Sequence, residues 1–170
     1  MKQLFLLRHA KSSWDDPGLV DDDRPLAPRG RRAVRLIAEH LGREGVTPAL
    51  VLCSSARRAR ETLEGIASTL GEAMPVQIEG ELYAASERRL LERLRGVEDG
   101  VESVMLIGHN PGVEQLALSL AGGGQNLAIL RRKYPTGALA TLEFSGRWGD
   151  LRTGSAELTD FITPKQLDKR

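Results

Sequence analysis

The chain has 170 residues, of which 41% are apolar and 28% are charged, and its formal net charge is +1. This length suits one domain with a full hydrophobic core, so we predict a single domain over residues 1–170. The near-neutral charge and the 4% of aromatic residues argue against nucleic acid as a partner, because its binders carry a basic field or aromatic stacking platforms. No apolar run is long enough to span a membrane and the N-terminus does not resemble a signal peptide, so no membrane partner is expected.

The first predicted element is a buried strand over residues 4–7, an apolar run that ends at Arg8 and His9. In open α/β sheets, ligands bind just beyond the carboxyl ends of the strands. Arg8 and His9 would therefore place a fixed cation beside a nucleophile that is neutral near pH 7. Taken alone, the pair is explained equally well by a solvated strand end.

Residues 15–30 are rich in Asp, Pro and Gly, which predicts a loop. Three of its acids, Asp21, Asp22 and Asp23, are consecutive, whereas calcium loops alternate their ligands along the chain. We interpret them as turn residues whose charges balance neighbouring arginines. The three histidines and one cysteine of the chain do not have metal-ligand spacing, so we predict no metal and no cofactor.

The next segment predicts a helix, a strand and a second helix. An apolar stripe at helical spacing covers residues 30–42, with His40 at its edge as a solvated or capping residue. Residues 49–53 form an apolar run that predicts a buried strand, and Cys53 at its end is interpreted as a packing residue. A single cysteine excludes an internal disulfide and is typical of a reducing compartment, so we expect a cytoplasmic protein.

The second helix is predicted to begin at Ser54 or Ser55 and to end near residue 70. Its first turn contains the adjacent cations Arg57 and Arg58. The positive end of a helix disfavours cations but binds anions through its backbone N–H groups. A negatively charged ligand in front of the helix explains both arginines, and the alternative is a solvated run of charge.

The remaining chain continues the alternation of strands and helices. Strands are predicted over residues 75–78, 103–107 and 137–144, with helices capped by Ser86 and by Asn110 between them. The helix after Asn110 is expected to end at flexible glycines, residues 122–124, and the C-terminal tail to add an edge strand or to cover the sheet. The pattern predicts an α/β fold, a three-layer sandwich with a largely parallel central sheet.

In such a sheet, three strand ends present Arg8 with His9, Arg58, and His109 at one edge. Arginine binds phosphate through its planar fork of donors. A neutral imidazole attacks phosphorus without first losing a proton, and nearby arginines lower its pKa. The constellation therefore indicates phosphoryl transfer, which depends on positioning and on stabilisation of charge.

Three stretches resemble the motifs of the histidine phosphatase superfamily: Arg8-His9-Ala10, the series Ser54, Arg58 and Thr62, and Gly108-His109. Residues 8–14, 21–30 and 137–140 are similar to its small SixA-type phosphohistidine phosphatase branch, and the resemblance covers residues 3 to about 167. It implies a phosphoglycerate mutase-like fold and a metal-independent phosphatase that works through a phosphohistidine intermediate. Ala10 replaces the usual glycine, and its methyl group should only tighten the pocket.

The resemblance implies that His9 accepts the phosphoryl group and that Arg8, Arg58 and His109 hold it. It also implies that Ser12 and the backbone N–H of Asn110 line the pocket. Larger members carry a proton-donating glutamate before the third motif. Glu81 is the nearest candidate for that proton donor, although its surroundings fit an exposed loop acid equally well.

Two classes of function fit these residues. The first is an enzyme whose partner is a phosphorylated protein carrying phosphohistidine, with a broad phosphomonoesterase for small phosphorylated substrates as the alternative. The second is a non-catalytic phosphate-binding module. Breaking the P–N bond of a protonated phosphoimidazole expels neutral imidazole and needs no strong acid. The fifty residues between Arg58 and His109 leave little chain for a cap over the pocket. We therefore favour protein phosphohistidine as the substrate.

Overall fold

The computed structural model describes residues 1–71 and 73–169. Within this part of the chain the strands are β1 (Lys2–Arg8), β2 (Leu50–Ser54), β3 (Val76–Glu79), β4 (Ser103–Gly108), β5 (Ala121–Gly124), β6 (Leu139–Phe144) and β7 (Ala156–Ile162). The α-helices are α1 (Pro28–Glu44), α2 (Arg57–Leu70), α3 (Glu87–Arg95), α4 (Gly112–Leu120), α5 (Leu127–Arg132) and α6 (Pro164–Asp168). Short 3-10 helices cover Asp21–Asp23, Gly80–Leu82 and Trp148–Asp150. None of the described helices is both long and apolar enough to cross a membrane.

The strands form one sheet in the order β3-β2-β4-β1-β6-β7-β5. All neighbouring pairs are parallel except the two pairs made by β6, which runs against both β1 and β7. Helices cover both faces, and each face has its own apolar core. The predicted three-layer α/β sandwich with a largely parallel sheet is confirmed.

Successive side chains of a strand point to opposite faces of the sheet, and both faces are covered, which explains why the strands are continuous apolar runs in the sequence. Leu4 and Leu6 of β1 belong to the core under α3 and α4, while Phe5 and Leu7 belong to the core under α1 and α2. A strand covered on both faces needs apolar residues at every position. Cys53 at the end of β2 is fully buried in the second core, as predicted, and burial raises the pKa of its thiol to about 12.

The register of the central strands brings the predicted site residues to one edge. Arg8 of β1 pairs with Gly108 of β4, and Cys53 of β2 pairs with Ile107 of β4. His9 and His109 therefore follow neighbouring strands at the same level, and α2 begins just beyond β2. Parallel strands whose carboxyl ends share an edge create a crevice for a ligand there.

One prediction for the C-terminal half is wrong and another holds in part. The predicted flexible glycines form β5, which pairs in parallel with β7, so the tail strand is not at the edge of the sheet. The alternative that the tail covers the sheet holds, because Leu167 of α6 is buried in the core under α1 and α2.

Glycine is required in β5 because a Cβ on Gly122 would lie 2.5 Å from the Gly154 carbonyl oxygen. At Gly124, where φ is +126°, a Cβ would lie 2.1 Å from the Leu158 oxygen.

Two further corrections concern helix faces and helix ends. His40 is 4% exposed and packs near Asp160, with 4.0 Å between its Nε2 and a carboxylate oxygen, so it is neither solvated nor a cap. Helix α2 begins at Arg57 rather than at a serine. The Ser54 hydroxyl accepts the Ala56 N–H in the turn that precedes the helix.

Candidate active site

His9, Arg58 and His109 lie in direct contact beyond the ends of β1, β2 and β4. The ring centroids of the two histidines are 5.0 Å apart, and the rings are inclined by 55°. The Arg58 guanidinium lies against both rings, with Nε 3.4 Å from His9 Nε2 and Nη2 3.4 Å from His109 Nδ1. All three side chains are buried. The structure thus brings together the residues that the sequence analysis placed at one sheet edge.

The hydrogen bonds of His9 select its reactive nitrogen. Nδ1 lies 2.8 Å from the carbonyl oxygen of Ala10, an acceptor that requires Nδ1 to carry the proton. The lone pair is therefore on Nε2, the nitrogen that faces Arg58. The backbone also fixes the position of the residue, because the His9 N–H donates to Gly108 and the His9 carbonyl accepts from Gly137. His9 is held as a neutral imidazole with a directed lone pair.

His109 has the opposite tautomer. Its Nε2 is 2.7 Å from the Ser54 hydroxyl, which also accepts the Ala56 N–H. Since Arg58 donates to Nδ1, the ring proton lies on Nε2 and is donated to Ser54. The hydroxyl of Ser54 thus orients a histidine and also accepts an N–H of the turn that precedes α2.

Thr62 joins the end of β1 to α2. Its hydroxyl accepts the Ala10 N–H at 3.1 Å and donates to the Arg58 carbonyl at 2.7 Å. The segment that carries His9 and the helical turn that carries Arg58 are therefore fixed to each other. The spacing of Ser54, Arg58 and Thr62 has a physical reason: one residue orients a histidine, one faces the pocket and one ties the two elements together.

Arg8 is anchored from a segment for which the sequence analysis predicted no element. Its Nη1 donates to the Tyr134 carbonyl at 2.9 Å, and Tyr134 is itself buried, with its hydroxyl donating to the Leu6 carbonyl. The Arg8 Nε is buried and has no hydrogen-bond partner among the described residues. Burial lowers the pKa of Arg8, and its charge in turn lowers the pKa values of His9 and His109.

Asp21 and Tyr83 are site residues that the sequence analysis missed. Arg58 donates from Nη1 to the Asp21 carbonyl at 2.8 Å and from Nη2 to its carboxylate at 3.1 Å. The Tyr83 hydroxyl donates to the same carboxylate, and the Tyr83 ring lies 5.5 Å from that of His109. The expectation that the aspartates balance nearby arginines holds for Asp21. The sequence indicated only this general role for Asp21, because its partner Arg58 lies 37 positions away along the chain.

The three less specific predictions have different outcomes. Ser12 is buried and its Oγ accepts from Arg24 at 2.6 Å, which leaves its own proton free to donate. The pocket role of the Asn110 backbone N–H stays a prediction, while the Asn110 side chain donates to the Tyr134 carbonyl and accepts the Glu114 N–H, so it secures the start of α4. Glu81 is exposed in the 3-10 helix Gly80–Leu82. The described residues contain no cluster of three or more side chains suited to a metal ion.

Burial is the main cause of the lowered pKa values of both histidines. It lowers the pKa of His9 to about 3, with His109, Arg58 and Arg8 adding to the effect. It lowers the pKa of His109 to about 4, with Arg58 as the next cause. Both rings are therefore neutral at physiological pH. The hydrogen bond from Tyr83, followed by those from Arg24 and Arg58, lowers the pKa of Asp21 to about 2.

In the ligand-free protein, we expect the imidazole NMR signals of His9 and His109 to keep neutral-ring shifts from about pH 8 to about pH 5. Unfolded histidines titrate near 6.5, so the unfolded chain binds more protons below that pH. The stability that the neutral rings contribute is complete above about pH 6.5 and is lost as the pH falls toward their folded values. A His9→Asn variant assigns the signals and should show a weaker dependence of Tm on pH. A midpoint near 6.5 for either ring would contradict the prediction.

Comparison with known proteins gives a consistent set of relatives. The family model described as the histidine phosphatase superfamily (branch 1) matches residues 4–86. The uncharacterized protein Rv1276c of Mycobacterium tuberculosis is 37% identical over 163 residues, which are 94% of this chain and all of the relative. Phosphohistidine phosphatase SixA of Escherichia coli is 32% identical over 123 residues, which are 71% of this chain and 75% of that protein.

The fold is also similar to solved structures. A crystal structure of the putative phosphohistidine phosphatase SixA from Agrobacterium tumefaciens superposes with a TM-score of 0.82 at 31% identity. The match covers 96% of this chain and 98% of the other. The similarity therefore extends across the whole sheet and both helical layers.

Proposed function

Since the chain belongs to the histidine phosphatase superfamily, we propose that it is a metal-independent phosphatase that hydrolyses protein phosphohistidine through a phosphorylated His9. The observation that supports this most directly is the placement of the His9 Nε2 lone pair against Arg58, within a buried pair of neutral histidines. A nucleophile already free of its proton needs no general base.

The proposed reaction has two displacements at phosphorus. In the first, His9 Nε2 forms a bond to phosphorus while the P–N bond of the substrate's phosphoimidazole ring, protonated on its other nitrogen, breaks and leaves its electron pair on a departing neutral imidazole. In the second, water attacks the phosphorus on His9, the P–N bond to Nε2 breaks, and inorganic phosphate leaves. The proton lost by water is taken up by phosphate, and His9 regains its lone pair.

The cationic groups of the pocket fit the charge that develops on the phosphoryl oxygens. Arg58 provides a fork of donors, and Arg8 provides a second guanidinium, which the Tyr134 carbonyl anchors through Nη1. His109 is neutral without ligand, but a phosphate dianion beside Nδ1 would favour its protonated form. His109 would then donate to a phosphoryl oxygen from Nδ1 while Nε2 stays bonded to Ser54.

The acids near the pocket support a phosphoramidate rather than an alkyl phosphate as substrate. Among the carboxylates that the structure describes, Asp21 is the one that hydrogen-bonds to a predicted pocket residue, and its pKa of about 2 keeps it ionised. An ionised carboxylate cannot protonate an alkoxide leaving group. A phosphoimidazole ring that is protonated on its other nitrogen expels neutral imidazole, whose conjugate-acid pKa is about 6.5, without such help. The role of Glu81 as proton donor is less well supported, because that side chain is exposed.

The discriminating experiment compares kcat/KM for a histidine-phosphorylated peptide with kcat/KM for a sugar phosphate, both in buffer containing a chelator. We expect kcat/KM to be higher for the phosphohistidine peptide by about 10²-fold or more. A general acid usually contributes a factor of this size, and hydrolysis of the alkyl ester would need one that this site does not supply. Activity that depends on added metal, or a preference for the sugar phosphate, would contradict the proposal. The second result would favour the phosphomonoesterase alternative, with Glu81→Gln as the next variant to measure. Phosphate binding without turnover of either substrate would instead favour the non-catalytic module.

A further inference from the structure

A groove of about 770 Å³ lies between α1, α5 and α6, next to the candidate active site. Its lining includes six exposed cations: Lys11, Arg29, Arg32, Arg132, Lys133 and Lys165. The acid among its lining residues is Asp168, which is paired with Arg32 at 2.5 Å. The chain as a whole has 24 basic and 23 acidic residues. The groove therefore has an excess of positive charge, and the nearly neutral total means that the rest of the chain carries a matching excess of negative charge.

The groove and the candidate active site share one wall. Lys11 lies two residues after His9, and the Gly137 N–H donates to the His9 carbonyl at 3.0 Å. The loop of residues 133–136 has two sides. On one side the Tyr134 carbonyl holds Arg8 and Asn110 at 2.9 and 3.0 Å, and on the other side Pro135 and Thr136 line the groove. A macromolecule whose phosphorylated side chain reaches His9 would place its neighbouring residues on this groove.

The lining of the groove favours a protein over a nucleic acid. Between the cations lie the apolar residues Leu36, Ile129 and Pro164, and Ile129 is one of the exposed large hydrophobic residues of the surface. The lining contains no aromatic residue on which a base could stack. Apolar contacts bordered by cations match a protein segment that carries acidic and apolar side chains.

We propose that this groove docks an acidic, partly apolar segment that adjoins the phosphohistidine of the substrate protein. The inference rests on the proposed function and adds to it a criterion for the substrate: the residues beside its phosphohistidine carry negative charge. The groove cations are not among the residues that we place against the reacting phosphoryl group, so we assign their contribution to association. Their removal should raise KM and weaken the dependence of KM on salt, with little change in kcat.

The test uses two histidine-phosphorylated peptides of equal length, with glutamate and leucine or with lysine and leucine beside the phosphohistidine. The groove variant is Arg29→Glu with Arg132→Glu, one residue from α1 and one from α5. The matched control is Arg35→Glu with Arg131→Glu, which changes the same helices by the same charge at exposed positions outside the groove lining. The substrate phosphoimidazole is too small to reach the groove, so its turnover reports on the active site alone.

We expect the parent protein and the control to favour the acidic peptide by about tenfold in kcat/KM, and the groove variant to lose that preference. Turnover of phosphoimidazole should stay the same in all three proteins. Equal losses in the groove variant and the control, or an unchanged preference in the groove variant, would overturn the docking proposal. Binding of an oligothymidylate is measured as well. If it binds the parent and the control but not the groove variant, and does not compete with the acidic peptide, the groove is a nucleic-acid site instead. If the parent turns over neither peptide nor phosphoimidazole, the proposed function itself has failed.

Discussion

Replacing His9 with alanine should abolish turnover and leave the fold intact. The imidazole supplies the nucleophile, and among the described neighbours neither Arg58 nor His109 replaces it, because Arg58 is cationic and the His109 Nδ1 lone pair accepts from Arg58. Loss of the nucleophile removes the covalent route entirely, so we expect kcat to fall by about 10⁴-fold or more. The position lies at the end of β1 and outside the two apolar cores, so the sheet should still assemble.

The measurement is kcat for a phosphohistidine peptide and for an activated aryl phosphate, with Tm and circular dichroism recorded for the same samples. His40→Asn is the matched control, since it alters a buried histidine on α1 that is not in the pocket. Rapid acid-free quenching of the parent should show phosphate on His9, and the His9→Asn variant should show none. A His9→Ala protein with near-parental turnover would show that His9 is not the nucleophile.

The centre of the site could be predicted because parallel topology converts sequence position into spatial position. Arg8, His9 and His109 each follow an apolar run, and parallel strands deliver such residues to one edge. Arg58 is set by helical spacing from Ser54 and Thr62. Those signals are local, so the sequence alone contains them.

The parts that were missed depend on contacts between distant segments. Asp21 meets Arg58 and Tyr83 across 37 and 62 positions of sequence, and no local pattern encodes such a meeting. Helix α5 has six residues, which is too short for an apolar period to be recognised. Strand β5 consists of alanine and three glycines, so it has hardly any side-chain alternation. The strand β5 can pair because its backbone approaches neighbouring backbone closely, and this approach is visible only in the folded sheet.

Arg58→Ala should be far more damaging than Arg57→Ala, although the two residues are adjacent. One helical step rotates a side chain by about 100°, so only one of them points into the pocket. The side chain of Arg58 is 8% exposed and lies against both histidines, whereas that of Arg57 is 47% exposed and pairs with Glu61 one turn away. A buried donor to the phosphoryl oxygens is worth about 10²- to 10³-fold in kcat. An exposed i, i+4 ion pair affects stability by only about 0.5 kcal/mol.

We therefore expect kcat/KM for a phosphohistidine peptide to fall by about 10²-fold or more in Arg58→Ala and to stay within about twofold of the parent in Arg57→Ala. Vanadate inhibition should weaken in the first variant only, because its oxyanion would use the same fork of donors. Arg58→Lys should recover little, since an ammonium cannot bridge Asp21 and both histidines as the planar guanidinium does. Tm values for the three variants separate loss of binding from loss of fold. A larger loss in Arg57→Ala than in Arg58→Ala would show that the assigned helical register, and with it the proposed phosphate pocket, is wrong.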